Sequence, residues 1–318
     1  MDKTIIVGAG LAGLITACKI KDATIYEAGK QLEQHKALLR FRDESVSHLT
    51  GIPFRAVTVH KGIHIGAQTY DRCTPAFANA YARKVTGKIA ADRSIWNLDT
   101  VVRYIAPEDF YHQLVTRHSS RIRWETAMHA DSIVYGQKEY KFVNTAPLPV
   151  IMKACGLHQG SLPEALFESS KIEVLRYRLP AGTDVFQTLY FPESDIRCFR
   201  ASITSDLLIV ERVKGIECNR FPESVELSYI CAAFGLDAFA DLTEIERVDQ
   251  RYGKIIELPR DTREAILFEL THAYNVFSIG RFATWRNLLL DDVVKDIDIV
   301  QQLMAASSYG RAKVLAHR

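Results

Sequence analysis

Residues 4–14 read Thr-Ile-Ile-Val-Gly-Ala-Gly-Leu-Ala-Gly-Leu, and the next apolar run closes at Glu27 in Ala-Thr-Ile-Tyr-Glu. A short apolar strand (Ile5, Ile6, Val7) runs into Gly8, Gly10 and Gly13, and a helical pattern from Leu11 to Ile20 follows. Three glycines at this spacing carry little weight alone. Between a strand and a helix, with an acid about twenty residues on, they form a dinucleotide-binding fingerprint. The first glycine takes a tight bend, the second lets the backbone approach a pyrophosphate, and the third lets helix pack on strand. Leu11 and Ala12 open the helix, whose free N–H groups and dipole favour an anion. Glu27, at the end of the second strand, is expected to accept hydrogen bonds from an adenosine ribose. A glycine-rich turn with a purely structural role is the alternative.

The chain has 318 residues, 47% apolar and 25% charged, the composition of an ordinary globular protein large enough for one big domain or two interleaved ones. No apolar run approaches the ~20 residues that span a bilayer. A strand at the very start leaves no room for a signal peptide, so a cytoplasmic setting is expected. Six cysteines, Cys18, Cys73, Cys155, Cys198, Cys218 and Cys231, are scattered without a Cys-x-x-Cys pair. That pattern fits reduced thiols and argues against a zinc or dithiol centre. Charge is uneven: residues 1–130 hold 18 Lys and Arg against 12 Asp and Glu, and seven of the ten histidines. Such asymmetry fits an anionic substrate or a nucleic-acid partner, and equally an ordinary solvated surface.

Along the chain, a β-α-β start is followed by a helix-prone stretch over 28–44, strands around a turn over 51–70, and a helix and loop over 74–98. Pro107-Glu108-Asp109 opens another helix, since proline and acids suit a helix N-terminus. Strands are expected at Arg121–Trp124 and Tyr140–Asn144. Residues 150–258 are β-rich, with one helix near Pro222–Phe234. A helix from Arg260, a strand from Asn275 to Ile279, Gly280 and a long terminal helix complete the pattern. The expected fold is α/β: a Rossmann-type domain with a parallel sheet, interrupted by a β-rich substrate domain. The cofactor domain would take 1–35, 105–150 and 260–318, and the substrate domain 36–104 and 151–259.

The segment Val276-Phe277-Ser278-Ile279-Gly280-Arg281-Phe282-Ala283-Thr284-Trp285 repeats the strand-glycine-helix logic of the opening. With the N-terminal motif and Thr145-Ala146-Pro147, it resembles the flavoprotein clan that contains UDP-galactopyranose mutase and the amine oxidases. The resemblance implies FAD as cofactor. The N-terminal motif would hold the ADP half, Ala146 would approach the cofactor, and Gly280, Arg281 and Leu288 would meet the pyrophosphate and ribityl chain. Two departures matter. The clan's Arg-x-Gly-Gly-type loop is replaced by Glu27-Ala28-Gly29-Lys30-Gln31-Leu32, and no second glycine fingerprint provides an NADPH domain. His35–Arg42, Arg93–Leu98, Arg103–Phe110 and Ser278–Val294 also look like segments of phage-encoded FAD proteins, some of which serve thymidine hypermodification. That resemblance implies a FAD-dependent lyase that oxidises the C–N bond of a glycine joined to a thymine methyl carbon in DNA. Hydrolysis of the imine would leave 5-aminomethyluracil.

Amine oxidation calls for a clamp on the substrate carboxylate, a neutral amine and a dry face. Arginine suits the clamp because its planar fork holds carboxylate or phosphate bidentately. Arg40, Arg42 and Arg55 are the candidates, followed by Lys61. Lys36 is a candidate base or water-holder, and Tyr252 a candidate to line the flavin face. Trp96, Trp124 and Trp285 are candidates for stacking on a base or the flavin. His48, His60 and His64 lack metal-ligand context, and no metal is expected. Two other readings stand beside the lyase: a sugar-nucleotide mutase-like flavoenzyme, and a non-catalytic FAD- or NAD-binding module.

Overall fold

The computed structural model describes residues 3–30, 39–89, 94–137, 139–157, 166–215, 221–237 and 242–306. Strand β1 (Lys3–Val7) turns at Gly8 into helix α1 (Leu11–Lys19), and β2 (Thr24–Tyr26) returns parallel to β1. Then come β3 (Arg40–Phe41), α2 (Ser45–Thr50), the long β4 (Arg55–Ile65) and its hairpin partner β5 (Gln68–Tyr70). Helix α3 (Pro75–Thr86) starts on a Thr74 side-chain cap with proline in its first turn, and stops at Gly87 in the left-handed region. After it follow β6 (Val101–Ile105), α4 (Phe110–His118), β7 (Ile122–Arg123), α5 (Ala130–Gly136), β8 (Tyr140–Asn144) and α6 (Leu148–Ala154). Four strands then build the second sheet: β9 (Ser169–Arg178), β10 (Phe186–Tyr190), β11 (Cys198–Thr204) and β12 (Leu207–Val213). The chain ends with α7 (Glu223–Ala233), β13 (Thr243–Ile255), α8 (Arg260–Tyr274), β14 (Val276–Ser278), α9 (Arg281–Thr284) and α10 (Leu290–Ala305).

Five strands form a wholly parallel sheet in the order β14-β8-β1-β2-β7. Alternation along each strand sends side chains to opposite faces. Ile6, Ile25, Val143 and Phe277 pack with α1, α4 and α10, whereas Ile5, Val7, Phe142 and Val276 pack with α6 and α8. Burial on both faces explains why these strands read as continuous apolar runs. The second sheet is mixed, ordered β13-β9-β12-β11-β10-β4-β6-β3, with β5 on β4. Helix α3 covers part of one face and α7 the other. The architecture is thus the predicted α/β one, a parallel Rossmann-like sheet joined to a β-rich unit.

Two local expectations are corrected. Of the helix-prone stretch 28–44, residues 31–38 lie outside the described residues, and Arg40–Phe41 is a strand paired antiparallel with β6, ahead of a helix at Ser45–Thr50. Phe41 is the reason: its ring packs 4.7 Å from Phe54 and 6.2 Å from Phe110, so a tertiary contact overrides local preference. The long terminal helix expected after Gly280 begins only at Leu290, because α9 intervenes and Trp285, at φ 48°, turns the chain out of it. No helix among the described residues is long and apolar enough to cross a membrane.

Candidate cofactor and substrate site

In an open parallel sheet, ligands bind beyond the carboxyl ends of the strands, where the strand order reverses. Here the chain runs from β1 to β2 on one side and later places β8 on the other, so that point lies between β1 and β8. Gly8 and Thr145 follow those two strands. Gly8 has φ 102°, and a Cβ there would lie 2.8 Å from Thr145 Oγ1. The Thr145 hydroxyl in turn donates to Val7 O at 2.8 Å. A Cβ on Gly13 would sit 2.0 Å from Gly8 O, so α1 can pack on β1 only without one. At Gly10 a Cβ would meet nothing within 4 Å. The protein does not require glycine there, whereas a ligand approaching the backbone would. The first N–H groups of α1, around Leu11 and Ala12, lack intrahelical acceptors, as at any helix start.

Glu27 closes this cradle. Its Oε2 accepts the Ala9 N–H at 2.8 Å and its Oε1 the Gly29 N–H at 2.9 Å. A carboxylate has about four lone-pair sites, so both oxygens keep capacity for ribose hydroxyls. Tyr111 donates to Ala9 O at 3.2 Å, and burial, with the nearby Glu27 charge, keeps its phenol protonated far above the usual range. The cradle's residues therefore fit a dinucleotide.

The C-terminal glycine reaches the same place. Gly280 has φ 87°, and a Cβ there would lie 3.1 Å from the Cβ of Ala12 in the first turn of α1. Asn144, fully buried at the end of β8, joins the pieces. Its backbone O accepts from Ile279 N at 2.8 Å, its Oδ1 from Ala146 N at 3.0 Å, and its Nδ2 donates to Ala146 O at 3.2 Å. Residues 8–13, 144–146 and 279–280 thus converge, though they are far apart in sequence. Arg281 donates to Asn287 Oδ1 at 3.3 Å, and Leu288 N–H to Arg286 O at 2.8 Å.

The second sheet presents a polar face whose composition follows from register. One row across it reads Val174, Glu211, Arg200, Tyr190, Ile63. The next, two residues along each strand and on the same face, reads Arg176, Ile209, Ser202, Thr188, Lys61. Arg200 Nη2 donates to Glu211 Oε1 at 2.7 Å, and its Nε also contacts that carboxylate. Burial pushes the Glu211 carboxyl up, but the charges of Arg200, Lys254 and Arg281 with the Arg200 hydrogen bond outweigh it, and the net shift is downward. Because Arg281 follows Gly280, this face and the cofactor-side glycine turn share one electrostatic environment.

The basic candidates separate. Arg40 reaches onto the polar face, donating from Nη1 to Thr188 Oγ1 at 2.9 Å and from Nη2 to Ile203 O at 2.6 Å. Arg42 pairs with Asp291 and Asp292 in the first turn of α10. Arg55 pairs with Asp184 at 3.4 Å and stands over the Phe186 ring, beside an open groove of about 430 Å³ that also takes in Thr58 and His60. Lys61 donates to Asn97 O at 2.8 Å, and Lys36 lies outside the described residues. Tyr252 packs edge-on to Trp285 at 5.5 Å and beside Phe282 at 6.2 Å, so it buttresses the segment after Gly280. Trp285 is corrected as a stacking candidate. It is fully buried between Phe167 and Tyr252, with no face open to a base. Trp124 packs partly buried against the α1 side of the core and Trp96 is exposed. His64 pairs with Thr69 and His60 with Thr100, and no group of His, Cys, Asp and Glu among the described residues has a metal-binding arrangement. Thr145 entered the sequence reading only as part of Thr145-Ala146-Pro147, and Asn144, Thr188, Arg200, Ser202 and Glu211 were not singled out there as site residues. Only Glu211 left a signal there, as a charge inside the apolar run Leu-Leu-Ile-Val-Glu-Arg-Val.

No family model matches this sequence, and no curated protein is similar to it in sequence. Solved structures share its fold. Reduced UDP-galactopyranose mutase superposes with a TM-score of 0.61 at 13% identity, over 99% of this chain and 99% of that one. MibH, a tryptophan 5-halogenase, gives 0.54 at 14% identity, over 100% of this chain and 70% of its own. A putative FAD-containing monooxygenase from Photorhabdus luminescens subsp. laumondii gives 0.51 at 10% identity, over 100% of this chain and 94% of that one. At such identities the likeness establishes the fold alone, and that fold is one used by FAD-binding enzymes.

Proposed function

We propose that this chain is a FAD-dependent oxidoreductase that cleaves an amino-acid C–N bond on a modified thymidine in DNA. The convergence of Gly8–Gly13, Ala146 and Gly280 on one cradle closed by Glu27 carries the cofactor half of this reading. Gly8, Gly10, Gly13, the first N–H groups of α1 and Glu27 would hold the ADP half. Gly280, Arg281 and Leu288 would hold the rest. When bound, FAD supplies a two-electron acceptor. The chain's contribution is positioning, which supplies much of the rate in such reactions. Arg200, fixed by Glu211, and the Thr188–Ser202 hydroxyl pair (2.9 Å apart) give a rigid polar wall for the substrate.

Support for the substrate half comes from the resemblance to phage FAD proteins. A glycine joined through nitrogen to the thymine methyl carbon would lose two electrons and two protons across its Cα–N bond. Water would then hydrolyse the imine to glyoxylate and 5-aminomethyluracil. Purified protein should show a flavin absorbance band and release glyoxylate from DNA carrying glycyl-thymidine. Yellow protein that leaves such DNA intact would overturn the substrate, and colourless protein the cofactor. A second reading, a mutase acting on a sugar nucleotide, is favoured by the UDP-galactopyranose mutase superposition, which spans 99% of both chains. Turnover of a UDP-sugar that requires prior flavin reduction would select it. A bound flavin that no substrate or reductant bleaches would leave a binding module.

A further inference from the structure

Arg40 lies part-buried on the polar face of the second sheet, yet the acceptors it meets among the described residues are neutral: Thr188 Oγ1 and Ile203 O. Its Nε is enclosed and meets no acceptor among the described residues. Neighbouring charge makes matters worse. Desolvation, then the Arg200 guanidinium, lowers the Arg40 pKa to about 10. Glu211 does not relieve it, because that carboxylate is engaged by Arg200. The contrast with the chain's other buried arginines is plain. Arg212 has Glu226 at 2.9 Å and Glu223 at 3.2 Å, and Arg176 has Glu246 at 3.2 Å and Glu108 at 3.4 Å. A desolvated guanidinium without a counter-charge is costly, and a bound anion relieves that cost.

We propose that Arg40, with the Thr188 and Ser202 hydroxyls beside it, is a built site for a single carboxylate of the substrate. Arg40 adds one positive charge that meets no carboxylate among the described residues, and one bound carboxylate neutralises it. Thr188 and Ser202 oxygens lie 2.9 Å apart, so one hydroxyl hydrogen of the pair is left to donate outward. Carboxylates bind arginine through short, charge-assisted hydrogen bonds that a lysine reproduces poorly. The site rests on the proposed function only in assigning this face to the substrate, since an anion would bind here whatever the cofactor.

The test is the melting temperature of the full chain, titrated with acetate, glyoxylate and inorganic phosphate at constant ionic strength. A ligand that binds only the folded state raises that temperature with its concentration. Acetate and glyoxylate are expected to stabilise the wild type. In Arg40→Gln their apparent affinity should fall at least about tenfold, in Arg40→Lys by less, and in Arg260→Gln, an exposed arginine at the start of α8, not at all. Phosphate acting through Arg40 while acetate has no effect would overturn the carboxylate assignment. No anion effect on the wild type, or one that persists in Arg40→Gln, would overturn the site. Should Arg40→Gln fail to fold, the wild-type titration and Arg40→Lys still decide. Flavin absorbance of the same samples separates the two readings: colourless protein that responds through Arg40 keeps this site and loses the cofactor.

Discussion

At the residue scale, the glycines of the first turn divide by what each one meets. Gly13 faces a backbone carbonyl and Gly10 faces open space. Gly13→Ala forces Cβ against Gly8 O and is expected to destabilise the protein by about 1–3 kcal/mol, the range for overpacking a tight contact. Gly10→Ala should melt within a degree or two of the wild type when cofactor-free, yet purify with far less flavin. Calorimetry and the flavin-to-protein absorbance ratio check the pair. A Gly10→Ala variant that kept its flavin would deny the close approach of a pyrophosphate. The motif spacing in the sequence was enough to find all three glycines, because their job is local. It did not separate the role that protein packing imposes from the one a ligand imposes. Arg40 was likewise visible as a candidate, but equal in standing to Arg42 and Arg55 until their partners were known.

At the element scale, two helix ends are held by charges from distant strands and turns. Helix α10 carries Asp291 and Asp292 in its first turn, as the helix dipole favours, and Asp292 accepts the Leu289 N–H at 2.9 Å. Arg42 ties that turn to β3: its backbone N–H and Nε both reach the buried Asp291 carboxylate at 3.2 Å. Arg42→Met should therefore cost about 1–3 kcal/mol, since it leaves a buried carboxylate short of a donor. Urea denaturation would show it, whereas a clamp residue for substrate would spare stability. The C-terminal end of α1 is held by Arg121, which donates to Ala17 O at 2.9 Å and Lys21 O at 2.6 Å, and also to His118 Nδ1 at 2.6 Å. Burial, then the charges of Arg121 and Arg117, push the His118 imidazole down to about 4. The unfolded chain takes up that proton near pH 6.5 and the folded chain only near 4. Stability from this group is therefore present above pH 6.5 and lost as pH falls towards 4. The slope of melting temperature against pH in that window should flatten in His118→Gln. An unchanged slope would show that His118 ionises freely in the folded protein. Helix patterns were readable from spacing and end signals, but β3 was not, because only two residues pair and their reason for pairing is Phe41 packing on Phe54 and Phe110.

At the scale of the whole molecule, the polar face of the second sheet exists because strands from opposite parts of the chain lie in one register. Arg200 and Glu211 are paired across β11 and β12, and Tyr190 and Val174 extend the same row. Glu211→Gln leaves the Arg200 guanidinium without its counter-charge and close to Arg40, and should be strongly destabilising. Adding Arg200→Met removes the excess charge, so the double variant is expected to be more stable than Glu211→Gln alone. Additive losses in the double-mutant cycle would show that the two side chains act independently. The parallel sheet, the glycine turn and the second glycine at the far end are legible in the amino-acid order alone. Each is specified by neighbours within a few residues: continuous apolar runs, backbone angles open to glycine, and helix-start chemistry. Packing of the folded chain decided that Gly280 meets Ala12 and that Asn144 binds the turns together. It also decided that, of the three arginines, Arg40 alone meets only neutral acceptors among the described residues. Those outcomes depend on register and packing between residues more than a hundred positions apart, which no local pattern encodes.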